Sequence, residues 1–197
     1  MEIRIIKKYR TIMSQNNNNR VTLHDKTFEL SIPYAELDLA IQKVADQINE
    51  DYKDLDTPLF LGVLNGAFMF MSELMQKIEI PCELSFVKLA SYVGTSSTGK
   101  VQELIGLRNN VEGRHIIIVE DVVDTGESME HLLRSLAGHK PASVTIATLL
   151  FKPTKFTKDY EVKYRALDIP DDFIVGFGLD YDELGRNLKD IYTIVNE

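Results

Sequence analysis

His115-Ile116-Ile117-Ile118-Val119-Glu120-Asp121-Val122-Val123-Asp124-Thr125-Gly126-Glu127-Ser128 runs from an apolar block through two acids into a small polar turn. The block His115 to Val119 has strand length and no alternation, so it reads as a strand buried on both faces. Glu127 to Leu136 then reads as a helix. Strand, tight turn and helix in that order make half of a parallel crossover unit.

The same order recurs upstream. Pro58-Leu59-Phe60-Leu61-Gly62-Val63-Leu64 is a continuous apolar run, Asn65-Gly66 a turn, and Ala67 to Ile78 has helical character. Leu37, Ile41, Val44 and Ile48 fall at helical spacing after Pro33, which suits a first turn. Leu84 to Ala90 and Ser143 to Phe151 read as further strands. Strands alternating with helices predict an α/β fold, a central parallel sheet flanked by helices. From Lys152 on, turns are frequent and the strands short, which predicts a small subdomain. Residues 21–197 are read as a single domain whose small subdomain, or hood, is built from about 21–32 and 153–197. Residues 1–20, with a basic start and the polar run Ser14 to Asn19, read as a mobile tail, and Met13 is a second candidate start. No internal repeat is found.

The 197 residues, 44% hydrophobic and 26% charged, suffice for one sizeable core. A formal net charge of −8 argues against nonspecific nucleic-acid binding, which needs clustered Lys and Arg. No run approaches the roughly 20 apolar residues of a membrane span, so a cytoplasmic location is expected. The single cysteine, Cys82, excludes a disulfide framework within the chain and is expected to be a small buried residue beside a strand.

Ligands of open parallel sheets bind outside the carboxyl ends of the strands, which makes the residues after Val119 a candidate site. Backbone N–H groups of the turn Asp124 to Ser128, with the positive end of the following helix dipole, suit an anion. Gly126 permits close approach of a phosphate, and the Thr125 and Ser128 hydroxyls can donate to it. Glu120 and Asp121 would repel that anion unless they face ribose hydroxyls or a hydrated Mg²⁺.

The whole run from Ile116 to Ser128 resembles the phosphoribosyl pyrophosphate signature of the type I phosphoribosyltransferases. Leu64-Asn65-Gly66-Ala67 resembles the family's pyrophosphate loop, and Ser91-Tyr92 the start of its lid, which would extend to about Lys100. Phe173-Ile174-Val175-Gly176-Phe177-Gly178-Leu179-Asp180-Tyr181 resembles the purine-binding stretch of the hypoxanthine/guanine subfamily. The resemblance spans about residues 25 to 195. It implies transfer of the 5-phosphoribosyl group from phosphoribosyl pyrophosphate to hypoxanthine, or guanine, giving IMP or GMP and pyrophosphate, in a homodimer or homotetramer.

By the same resemblance, Glu120 and Asp121 bind the ribose hydroxyls directly or through Mg²⁺, and Asp124 exchanges a proton with N7 of the purine. The loop Asp124, Thr125, Gly126, Glu127, Ser128 grips the 5-phosphate. Lys152 donates to the 6-oxo group, Phe173 stacks on the base and the Ile174 backbone meets its 2-position. Asp180 holds a second Mg²⁺, while Arg186 and the Leu64-Asn65-Gly66 backbone hold pyrophosphate.

Two positions depart from the pattern. Asn65 stands where relatives often carry Lys or Arg, and Glu127 adds a negative charge to the phosphate loop, with its side chain expected in solvent. Taken singly, Lys152 would be a surface charge, Phe173 a core residue and Arg186 a surface partner of Asp182. One rival reading is a non-catalytic nucleotide-binding regulator on the same scaffold. Another is a phosphotransfer or phosphatase domain with Asp121 or Asp124 as nucleophile, but such folds place their acids after the first strand.

Overall fold

The computed structural model describes residues 19–89, 103–104 and 111–195. These fall into two compact units, one of Asp38–Asp171 and one of the described residues up to Leu37 and from Asp172 on. Nearly all of the expected tail, with Met13, and the expected lid, with Ser91, Tyr92 and Lys100, lie outside the described residues.

The larger unit is built on a sheet whose strands are β3 (Leu59–Leu64), β4 (Glu83–Leu89), β5 (Glu103–Leu104), β6 (His115–Val123), β7 (Ser143–Phe151) and β8 (Tyr164–Asp168). Their order is β5-β4-β3-β6-β7-β8. All neighbours are parallel except β4 and β5. The helices are α1 (Tyr34–Tyr52), most of which falls in this unit, α2 (Phe68–Met75) and α3 (Glu127–Ala137).

The apolar runs do not alternate because both faces of the sheet are covered. Leu59, Leu61, Ile116, Ile118 and Ile146 join Met129, Leu132 and Leu136 of α3 in one cluster. The residues between them, Phe60, Ile117, Ala147 and Leu149, are equally buried. On α1 the stripe Ile41, Val44, Ala45, Ile48 and Tyr52 is buried, and the Tyr52 hydroxyl lies 2.8 Å from Thr145 Oγ1 of β7. Each such apolar side chain contributes about 1.5–3 kcal/mol when fully buried.

The smaller unit is an antiparallel sheet of β1 (Arg20–Leu23), β2 (Lys26–Ile32), β9 (Ile174–Val175) and β10 (Ile191–Ile194), in the order β1-β2-β10-β9. Leu23, Phe28 and Val175 form its core, with Tyr181, Leu188 and Tyr192 packed around them.

Three expectations from the sequence are corrected. The strand Tyr164–Asp168, set with the small subdomain, is the edge strand of the large sheet, where Leu167 and Asp168 pair with Leu150 and Phe151. Cys82 is exposed, because it precedes the uncovered first residues of β4. The strand at 115 does not end at Val119 but runs to Val123, so Glu120 and Asp121 lie within β6. Among the described residues no helix is long and apolar enough to cross a membrane.

Candidate active site

In the larger unit the C-terminal ends of β3, β6 and β7 bring together most of the residues singled out from the sequence. The ladder between β3 and β6 ends at Gly62 and Val119, whereas that between β6 and β7 continues to Val123 and Phe151. From Glu120 onward β6 therefore has lost its β3 partner, while the turn Leu64-Asn65-Gly66 leads from β3 toward the acid pair. The Leu64–Asn65 peptide bond is cis. A Cβ placed on Gly66 would lie 1.4 Å from Asp121 Oδ2, so only glycine admits this approach.

Glu120 is the most confined acid of the pair. Its Oε2 atom is buried with no hydrogen-bond partner. Burial, and after it the neighbouring Asp121, holds the Glu120 carboxyl well above the usual carboxylate range. Asp121 Oδ1 accepts a hydrogen bond of 2.6 Å from the Val122 N–H. A buried carboxylate oxygen without a donor suits a hydroxyl or a cation. Among the described residues no group of three or more His, Cys, Asp and Glu is arranged to hold a metal. Mg²⁺ is commonly held by one or two carboxylates, with phosphate oxygens and water completing the shell, so two carboxylates fit it.

The turn into α3 follows directly. Gly126 has φ 85°, the left-handed region that favours glycine. Its carbonyl accepts from the Glu130 N–H at 3.0 Å and from the Tyr160 hydroxyl at 2.6 Å. The Glu127 N–H reaches Thr125 Oγ1 at 3.4 Å, and Thr125 and Ser128 are exposed. This is an open helix N-terminus preceded by a small-residue turn, an arrangement suited to a phosphate.

Lys152 follows β7, its N–H donating to the Val123 carbonyl at 3.0 Å. It is only 7% exposed, so it is no surface charge. Its Nζ lies 3.3 Å from both Asp124 Oδ2 and Asp171 Oδ1. Lys155 Nζ reaches Asp171 Oδ1 at 2.9 Å and Asp124 Oδ1 at 3.9 Å. Lys155, then Lys152, draws the Asp171 carboxyl below its ordinary value. Through Lys152, Asp171 is tied to an acid 47 positions upstream, a relation that no local sequence signal carries. Lys158 and Tyr160 likewise meet Glu127 and Gly126 only in the folded chain.

Glu127 is mostly exposed as expected, yet it is paired, with Lys158 Nζ 2.6 Å from Oε1. In the smaller unit, Phe173 is 46% exposed and so is not core. Its ring stands beside Phe28 and Tyr181, with centroids 6.1 and 5.8 Å away. Ile174 pairs with Thr193 in the sheet. Arg186 pairs with Asp180 at 2.7 Å and more loosely with Glu183 at 3.9 Å rather than with Asp182, and Arg186 Nη1 also donates to the Gly178 carbonyl.

Residues 34–182 match the model of the phosphoribosyl transferase domain. A hypoxanthine-guanine phosphoribosyltransferase of Streptococcus pyogenes is 41% identical over 169 residues, 84% of this chain and 93% of that protein. A hypoxanthine phosphoribosyltransferase of Salmonella typhimurium is 37% identical over 171 residues, 86% of this chain and 96% of that protein. A crystal structure of a hypoxanthine-guanine phosphoribosyltransferase from Bacillus anthracis superimposes with a TM-score of 0.79 at 33% identity, covering 85% of this chain and 98% of the other.

Proposed function

The chain belongs to the phosphoribosyltransferase family, in its hypoxanthine-guanine branch, and we propose that it transfers the 5-phosphoribosyl group of phosphoribosyl pyrophosphate to hypoxanthine, and to guanine, releasing pyrophosphate. The observation that carries this reading is the buried Lys152 bridging Asp124 and Asp171 beside the phosphate turn. It supports a reading in which Lys152 donates to a 6-oxo group and the neighbouring Asp124 exchanges a proton with N7 of the base.

In this reading a ring nitrogen of the base attacks the anomeric carbon, the bond to pyrophosphate breaks, and positive charge builds on the sugar as negative charge builds on the leaving group. Glu120 and Asp121 orient the ribose hydroxyls, and the orphaned Glu120 oxygen supports that assignment. Asp124 to Ser128 hold the 5-phosphate. The turn Leu64-Asn65-Gly66 and Arg186 hold pyrophosphate, and the exposed Phe173 stacks on the base with the Ile174 backbone at its edge. Mg²⁺ held by Glu120 and Asp121, with a second ion at Asp180, would neutralise charge on pyrophosphate. Asp180 is paired with Arg186 at 2.7 Å. The small subdomain of this reading carries the base-binding stretch, Ser91 and Tyr92 begin a lid that excludes water, and the enzyme is a cytoplasmic homodimer or homotetramer.

The test is IMP formation from hypoxanthine and phosphoribosyl pyrophosphate with Mg²⁺, repeated in EDTA. Turnover that stops in EDTA is expected. Undiminished turnover in EDTA would overturn the metal assignment, and no turnover with Mg²⁺ would overturn the reaction. A regulator without catalysis has no observation in its favour.

A further inference from the structure

We propose that Lys158 and Glu127 form a charge couple that sets how tightly the loop Asp124 to Ser128 binds the 5-phosphate, an inference that rests on the function proposed above. Glu127 places a carboxylate in the first turn of α3, beside the amides a phosphate would take. An acid there opposes an anionic ligand unless its charge is cancelled locally.

The structure supplies the cancelling charge from 31 positions downstream. Lys158 Nζ lies 2.6 Å from Glu127 Oε1 and 2.7 Å from Glu130 Oε2. The Lys158 side chain is largely buried while that of Glu127 is open to solvent. Glu130 has a second partner in Arg134 at 2.6 Å, whereas the Glu127 carboxylate pairs with Lys158. The lysine does not arrive as a free surface chain. Its Cγ, the Phe156 ring and the Tyr160 hydroxyl occupy the space where a Gly126 side chain would stand, at 2.9, 2.8 and 2.5 Å from a Cβ built there. The Tyr160 hydroxyl also donates to the Gly126 carbonyl. The segment is thus fixed against the phosphate turn, and its ammonium lies behind that turn in a set place.

An exposed ion pair adds little to folding, so the effect of this couple falls on the ligand that enters its field. Losing Lys158 uncovers the Glu127 carboxylate and weakens phosphoribosyl pyrophosphate binding. Losing Glu127 removes a carboxylate from beside the loop while the ammonium stays in place on Glu130, and strengthens that binding. Losing both returns the loop toward its original balance.

The experiment is a double-mutant cycle with wild type, Lys158→Met, Glu127→Gln and the double variant. Phosphoribosyl pyrophosphate binding is measured by titration calorimetry in Mg²⁺, and KM is measured for both substrates. Lys158→Met is expected to weaken phosphoribosyl pyrophosphate about three- to tenfold with the KM for hypoxanthine unchanged, and the double variant to lie within about twofold of wild type. Glu127→Gln, which leaves the packing of Lys158 in place, is expected to bind more tightly than wild type even if Lys158→Met fails to fold. Weaker binding by Glu127→Gln, or a double variant as impaired as Lys158→Met, would overturn the couple. A wild type that does not bind phosphoribosyl pyrophosphate would overturn the function itself, and would show before any variant is compared.

Discussion

Gly66 and Asp121 are in such close approach that a single added methyl group on the glycine would overlap the carboxylate, at 1.4 Å from Oδ2. The turn after β3 and the acid pair of β6 are thereby one structure, although 55 positions separate them in the chain. Gly66→Ala must displace either the turn or Asp121. We expect kcat/KM to fall by about 100-fold, as for a displaced positioning group, with the circular dichroism spectrum retained. Steady-state kinetics with both substrates checks this, and an unimpaired variant would show that the approach has no part in the reaction.

Asp124 and Lys152 supply the second prediction. Asp124→Asn keeps the shape but cannot carry the proton from N7, and Lys152 retains Asp171 as a partner at 3.3 Å. A loss of about 10²- to 10⁴-fold in kcat is expected, with an unfolding midpoint near that of wild type. Thermal unfolding alongside single-turnover rates separates this from damage to the fold.

Phe173 and Phe28 lie in contact but differ in burial, 46% against 0% exposed. Phe173→Ala is expected to raise the KM for hypoxanthine about tenfold, in line with about 1–3 kcal/mol for a base stacked on an aromatic ring, with little change in stability. Phe28→Ala is expected to cost about 3–5 kcal/mol of stability. Urea unfolding of both variants distinguishes the exposed ring from the core ring.

Asp51 links the end of α1 to the start of β8, accepting from Tyr164 at 2.8 Å and pairing with Lys163 at 2.7 Å. The bond from Lys163, and then that from Tyr164, lowers the Asp51 carboxyl below its ordinary value in the folded protein. A lowered folded value stabilises the fold above the unfolded value and ceases to do so as pH falls through the folded one. At neutral pH Asp51→Asn is expected to cost about 0.5–1 kcal/mol, a figure already reduced for solvent screening. Urea unfolding at several pH values should show that gap narrowing below about pH 5. A gap that widens in acid would contradict the assignment.

The parallel sheet was legible because strands buried on both faces leave unbroken apolar runs, as in His115 to Val119, and α1 because its stripe is regular. The acid pair Glu120-Asp121, the turn Asp124 to Ser128 and the stretch Phe173 to Tyr181 could be singled out because each is contiguous. What local sequence did not show depends on distance in the chain. Asp171 meets Asp124 through Lys152, Lys158 meets Glu127, and Gly66 meets Asp121 only after the sheet brings β3, β6 and β7 side by side. The extension of β6 through Glu120 and Asp121 was missed because two acids look like a strand end. Continued pairing with β7 keeps them in the strand.

The central claim is that this site transfers phosphoribose to a 6-oxopurine, and it is met most directly by comparing initial rates with hypoxanthine, guanine, xanthine and adenine at saturating phosphoribosyl pyrophosphate and Mg²⁺. Lys152, buried and able only to donate, predicts rapid turnover of hypoxanthine or guanine and little of adenine, whose 6-amino group would face that ammonium. Preference for adenine, or absence of nucleotide product with every base, would contradict the account.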